Sequence, residues 1–339
     1  MRVEASLRAT PTGDITVTAA ELERAGAGAV SDSESSRDPM LTMAMAAVST
    51  ERIGLATGVT IAFPRSPMVL AYGARMLHDQ SGGRFRLGLG TQVEQHMERR
   101  FGVPWDSPGP RLRDYLQALR AIWSSWDTGE PLQHAGPFYA MDLMTPEFSP
   151  GPTPYGRVAV DLAAVNPYNL ELAAELADGV RLHVFSTPAY VRDVVGPRLA
   201  AGAARSGREL TGFEVYGGGF VATGAGPEDV TRAREQARAR VAFYGSTMAY
   251  LPVLRHHGWG DLREQLRELV RHERWDDLAA AVPDHVLDEF CTAAPYPELA
   301  AALRERWAGL VTTVQVPAPV PYAAGWDGFA GACAAIADL

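Results

Sequence analysis

Residues 78–105 read HDQSGGRFRLGLGTQVEQHMERRFGVPW and pack a helix end, a Gly-Gly turn, one buried strand and a glycine-bearing strand exit into a short span. Ser81-Gly82-Gly83 stops the preceding helix, because glycine takes the left-handed backbone that a helix C-terminus needs. Phe85, Leu87 and Leu89 alternate with Arg86, Gly88 and Gly90, a run too short and too glycine-rich for a helix. With no side chain at Gly88 or Gly90, a second backbone or a flat ligand can approach closely. Thr91, Gln92 and Glu94 fall where the strand ends and the chain turns. The expectation is a strand of a parallel sheet whose C-terminal exit lines a ligand site.

Outward from this strand the same rhythm recurs. Residues 2–7, 26–31 and 52–60 read as strands before it, and 157–163, 179–184, 213–223 and 310–316 after it. Asp38-Pro39 and Thr187-Pro188 place proline near the first turn of a helix. Leu112, Tyr115, Leu116, Leu119 and Trp123 give residues 111–126 an apolar face. Eight strands, nearly all followed by helices, predict an α/β fold, a (β/α)₈ TIM barrel, as one domain over residues 1–339. The surplus length falls in a hairpin-like excursion at 129–153 and a helical insertion at 245–290. The Pro-, Ala- and Gly-rich tail after strand eight receives no element. A doubly wound sheet would want a G-x-G-x-x-G turn after its first strand, and residues 6–14 hold none.

Composition narrows the class. The chain is 47% hydrophobic and 21% charged, enough for a sizeable core. A net charge of -9 speaks against nucleic-acid and anionic-membrane partners. The two cysteines, Cys291 and Cys333, lie far apart and outside metal-ligand spacing, which fits a reducing cytoplasm. The opening MRVEASLRATPTGD holds no apolar run of signal-peptide length, and no segment reaches the roughly 20 apolar residues of a membrane span. The expected protein is soluble and cytoplasmic.

In such a barrel the site lies at the C-terminal strand ends. The exits offer Asp32 and Glu34 after strand two, Gly58 and Val59 at strand three, and Gly90, Thr91 and Gln92 at strand four. Strand five contributes Ala163, Ala164, Val165 and Asn166, strand six His183, and strand seven Gly217-Gly218-Gly219. No histidine pair stands at metal-ligand spacing, and no G-x-S-x-G elbow or Walker loop occurs. A wall of glycine and alanine suits a large planar cofactor that carries the chemistry itself. The bland alternative is that these glycines only ease tight turns.

His183 is the general acid–base candidate, since Leu182 and Val184 would face outward; a hydrogen-bonded structural histidine is the alternative. Thr91 and Gln92 either meet a ring edge or cap a helix beginning near Val93. Asp32 and Glu34 either reach the ligand or cap the helix at Asp38. Arg65 reads as a solvated charge or a substrate-carboxylate clamp, and His256-His257 as surface residues of the insertion. Trp105, Phe138, Tyr139 and Phe148 are candidates for a cleft wall.

DPMLTMAMAAVSTERIGLATGV, SPMVLAYGARMLHDQSGGRFRLGLG, RLRDYLQALRAIW and LAAVNPYNLELAAELADGV resemble the luciferase-like monooxygenase superfamily. QVEQHMERRFGVPW, LMTPEFSPGP, FYGSTMAYLPVLRHHGWGD and RWDDLAAAV resemble its actinobacterial F420-dependent oxidoreductase subgroup. The resemblance implies a barrel, usually a homodimer, binding FMN or the deazaflavin coenzyme F420 at its mouth. It puts a non-prolyl cis peptide at Gly58-Val59, an ordinary trans bond being the alternative, and an acidic element at Asp32-Ser33-Glu34 whose register leaves either acid facing the site. The sequence departs from the family pattern where Ser33 and Arg37 replace histidine, where Val165-Asn166 replaces a glycine pair, and where Ala293-Ala294-Pro295 replaces Gly-Thr-Pro. Hydride transfer between F420 and a small organic substrate is the implied activity. An FMN-dependent monooxygenase and a catalytically silent, ligand- or partner-binding barrel are the alternatives.

Overall fold

The computed structural model describes residues 1–319 and 325–339. Eight strands form a ring: β1 (Arg2–Ser6), β2 (Ala29–Asp32), β3 (Gly54–Thr57), β4 (Phe85–Gly90), β5 (Ala159–Ala164), β6 (Gly179–Leu182), β7 (Glu214–Gly217) and β8 (Thr313–Gln315). All ring pairings are parallel, and β1 lies between β2 and β8 while β3 pairs with β4. The sheet is therefore a closed (β/α)₈ barrel without an open edge.

Alternation along each strand sorts the residues. Val3, Val30, Leu55, Leu87, Val160, Leu162, Val180 and Val314 are buried between the strands and the surrounding helices. The opposite positions fill the barrel with charge. Arg181 donates to both carboxylate oxygens of Glu4 at 3.0 Å and lies 3.9 Å above the Tyr216 ring, while Arg86 pairs with Asp161. Each interior charge meets an opposite one, as the cost of desolvating ions requires. Gly88 is indispensable here, since a Cβ would sit 1.9 Å from the Thr57 carbonyl oxygen of β3 and 2.9 Å from Arg181 Nε.

Helices follow the strands as their caps dictate. Asp38 accepts from the Met40 N–H at 2.8 Å, Ser66 from Val69 at 3.3 Å and Thr187 from Tyr190 at 3.1 Å, each cap followed by proline. In the 129–153 excursion a short antiparallel hairpin pairs His134–Ala135 with Ala140–Met141. Buried Asp114 clamps it, accepting from the Phe138 and Tyr139 N–H groups and from His134. The 245–290 insertion is helical, with Leu251–His256, Gly260–Arg271, Trp275–Ala280 and Asp284–Phe290.

Two expectations need correction. The seventh strand is broken: Gly218 and Gly219 take φ of 104° and 64°, and Phe220–Ala222 leaves the ring to pair with Cys291–Ala293. The tail holds a helix, Trp326–Ala337, which buries Phe329, Ala332, Cys333 and Ile336. Among the described residues no helix is long and apolar enough to cross a membrane.

Candidate functional site

The mouth is floored by backbone and small side chains. Gly58 is exposed there, its peptide to Val59 is cis, and the Val59 side chain leans across β4. A Cβ on Gly90 would lie 2.7 Å from Val59 Cγ2 and 3.4 Å from Ala163 Cβ, so only glycine fits. Ala163, half-exposed, borders this floor; Ala164 points the other way and is buried with Leu162 in the outer core. Val165 is half-buried, and exposed Asn166 accepts from the Asn169 N–H at 2.9 Å, closing the N-terminus of helix Pro167–Leu176.

Gln92 holds φ of 63°, an uncommon backbone for a residue with a side chain. Its Oε1 accepts from its neighbour Val93 N–H at 3.1 Å, and Thr91 Oγ1 donates to the Gln92 carbonyl at 3.1 Å. The next helix starts at Glu94 with no side-chain cap, so both residues shape the strand-four exit rather than the helix.

The strand-two acids resolve into two ion pairs. Buried Asp32 accepts from Arg37 Nε and Thr42 Oγ1, both at 2.7 Å, and from the Ser33 N–H at 2.8 Å. Arg37 also donates to the Leu7 and Thr10 carbonyls, tying the strand-one exit to strand two. Glu34 accepts from the Ile61 N–H at 2.8 Å and pairs with Arg65, which also donates to Asp38 at 2.8 Å. Arg65 is thus neither a solvated charge nor a free clamp; burial opposes its charge, but Glu34 and Asp38 hold its pKa above the ordinary value. Both acids brace the strand exits, and Asp38 rather than either of them caps the following helix.

His183 stands at the strand-six exit, stacked on Tyr250 at 4.5 Å and meeting Tyr244 edge-on at 4.5 Å. Its Nδ1 accepts from the Phe185 N–H at 3.1 Å, which places the ring proton on Nε2. Burial, helped by the charge of Arg240, brings its pKa down to about 4. At neutral pH it is an uncharged hydrogen-bond donor through Nε2–H and too weak a base to take up a second proton.

Other positions shift from expectation. His256 is exposed as expected, whereas His257 is half-buried: its Nε2 lies 2.7 Å from buried Thr187 Oγ1 and its ring stacks on Trp259 at 4.4 Å, so the insertion is tied down beside strand six. Tyr139 packs against Tyr115 and receives a hydrogen bond from Arg111 at 3.1 Å, while Trp105 and Phe138 are half-buried. Phe148 is exposed and lies beside helix Pro67–Gln80, where its carbonyl accepts from Tyr72. Tyr244 and Tyr250 escaped sequence reasoning, because only the fold of the insertion brings them to strand six.

The floor of Gly58, Val59, Gly90 and Ala163 fits a flat ring system. The helix N-termini beyond strands five and six are closed by Asn166 and Thr187, so an anionic tail would meet the remaining backbone there.

A profile of the luciferase-like monooxygenase family matches residues 2–313. An uncharacterised protein of Mycobacterium tuberculosis is 41% identical over 296 residues, covering 87% of each chain. A putative coenzyme F420-dependent oxidoreductase of the same organism is 29% identical over 261 residues, covering 71% of this chain and 72% of that one. Among solved structures, the coenzyme F420-dependent tetrahydromethanopterin reductase from Methanopyrus kandleri superposes with a TM-score of 0.79 at 20% identity, over 98% of this chain and 97% of the other. With a match spanning nearly the whole barrel, the chain belongs to the luciferase-like monooxygenase family.

Proposed function

We propose that the protein is an oxidoreductase moving a hydride between coenzyme F420 and a small organic substrate at the barrel mouth. The observation that carries this reading is a floor free of large side chains, with His183 at the exit of the neighbouring strand six and both strand-two carboxylates consumed in ion pairs. Such a site suits a cofactor that brings its own reactivity. The mycobacterial relative described as F420-dependent supports the choice of deazaflavin. When bound, F420 would supply the hydride chemistry; the rest falls to the chain. Gly58, Val59, Gly90 and Ala163 would carry the ring, and the Thr91, Gln92 and Val165 backbone would border it. His183 Nε2–H would donate to a ligand oxygen, and Asp32 and Glu34 would act by holding the exits in place.

The family description favours an FMN-dependent monooxygenase as the second reading. Absorbance titrations with F420 and with FMN separate the two: saturable F420 binding supports the first and FMN binding the second. Binding of neither leaves the silent barrel.

The chain is further read as a cytoplasmic homodimer. Leu41 and Val48 on helix Pro39–Ser49, with Val69 and Met76 on the adjoining helix Pro67–Gln80, are exposed apolar residues at seven-residue spacing. Sedimentation should show a dimer that Met76→Glu weakens; a monomer at all concentrations contradicts this.

A further inference from the structure

The aromatic wall at strand six has a packed back and a half-exposed front. Phe185, Phe290 and Phe220 form the buried back, with Phe185 4.3 Å from Phe290 and Phe220 6.4 Å from Tyr244. His183, Tyr244 and Tyr250 form the front, all three only partly buried. Tyr244 ends helix Pro227–Gly245, and Tyr250 closes the turn Met248–Tyr250 that opens the insertion. On this front His183 Nε2 and the two phenol oxygens make no hydrogen bond within the described residues, although Nδ1 is satisfied by the Phe185 N–H.

Resting on the function proposed above, the geometry points to a substrate class: a planar aromatic molecule bearing one acceptor oxygen, its ring against Tyr244 and Tyr250 and its oxygen on His183 Nε2–H. Aromatic rings gain more from offset or edge-on contact than saturated rings of equal size. A site donor left without an acceptor penalises a ligand that lacks one. The two groups packed on the His183 imidazole are phenol rings, so a ligand oxygen on Nε2 would sit beside aromatic faces at the half-exposed front.

The test compares acetophenone, cyclohexyl methyl ketone and ethylbenzene as probes, by ligand-observed NMR on the full chain, with and without F420. Acetophenone should bind about 3- to 10-fold more tightly than the saturated ketone and than ethylbenzene. Tyr250→Leu should remove the first preference and leave the second. His183→Phe should do the reverse, and Tyr250→Phe should keep both while confirming that the turn still folds. In protein labelled with ¹⁵N-histidine, the His183 Nε2 resonance should shift with the ketones and not with ethylbenzene. Equal affinities for the three probes, no binding of any, or preferences indifferent to both Tyr250→Leu and His183→Phe overturn the inference. If the preferences hold while F420 fails to bind, the oxidoreductase reading fails and this one stands; if F420 binds and the preferences are absent, the reverse is true.

Discussion

Acid should weaken this protein through His183 in a definite pH window. The imidazole titrates near 6.5 in an unfolded chain, and burial beside Tyr244 and Tyr250, with Arg240 nearby, brings it to about 4 in the folded one. Because the folded value is the lower, the stabilising contribution is fully present above pH ~6.5 and is lost as pH falls toward 4. At about 1.4 kcal/mol for each pH unit of separation, and allowing for partial solvent contact at the mouth, the loss is about 2 to 3 kcal/mol. Urea unfolding of the wild type and of His183→Gln from pH 7.5 to 4.5 isolates it, since every other titrating group is common to both. The wild type should lose more stability than the variant across this range. Parallel stability curves, or an NMR titration placing His183 near 6.5, would refute the reasoning.

Gly88→Ala should destabilise by about 3 kcal/mol or more, because the new Cβ meets a strand-three carbonyl oxygen at 1.9 Å and neither backbone can move aside; a wild-type melting temperature would contradict this. Arg37→Ala should cost about 3 kcal/mol by stranding buried Asp32 and releasing the Leu7 and Thr10 carbonyls, which denaturant unfolding measures. Burial pushes Cys291 up to about 11 and Cys333 up to about 12, so neither thiol should react with iodoacetamide at pH 8 until the protein is unfolded.

The barrel was legible because its strands are local patterns: Phe85–Gly90 is a strand on alternation and glycine content alone. Strand seven reads as continuous through its run of three glycines, whereas Gly218 and Gly219 adopt left-handed backbone and redirect the chain. The last helix was hidden by small residues, although Phe329, Ala332, Cys333 and Ile336 carry helical spacing. At the site, positions were readable and partners were not. Asp32 and Glu34 stand at the strand-two exit as expected, but whether an acid faces a ligand depends on guanidinium groups from elsewhere: Arg37 binds one and Arg65 the other. His183 likewise takes its character from Tyr244 and Tyr250, more than 60 residues away in sequence.

Titration calorimetry of F420 into the wild type and into Ala163→Phe tests the central claim most directly. Ala163 borders the mouth floor, and a phenyl ring there would occupy the space a planar cofactor needs. The account predicts one F420 bound for each wild-type chain and a loss of affinity of at least about 100-fold, ~2.7 kcal/mol, in a variant that remains folded. No heat of binding with the wild type, or equal binding by both proteins, would contradict it.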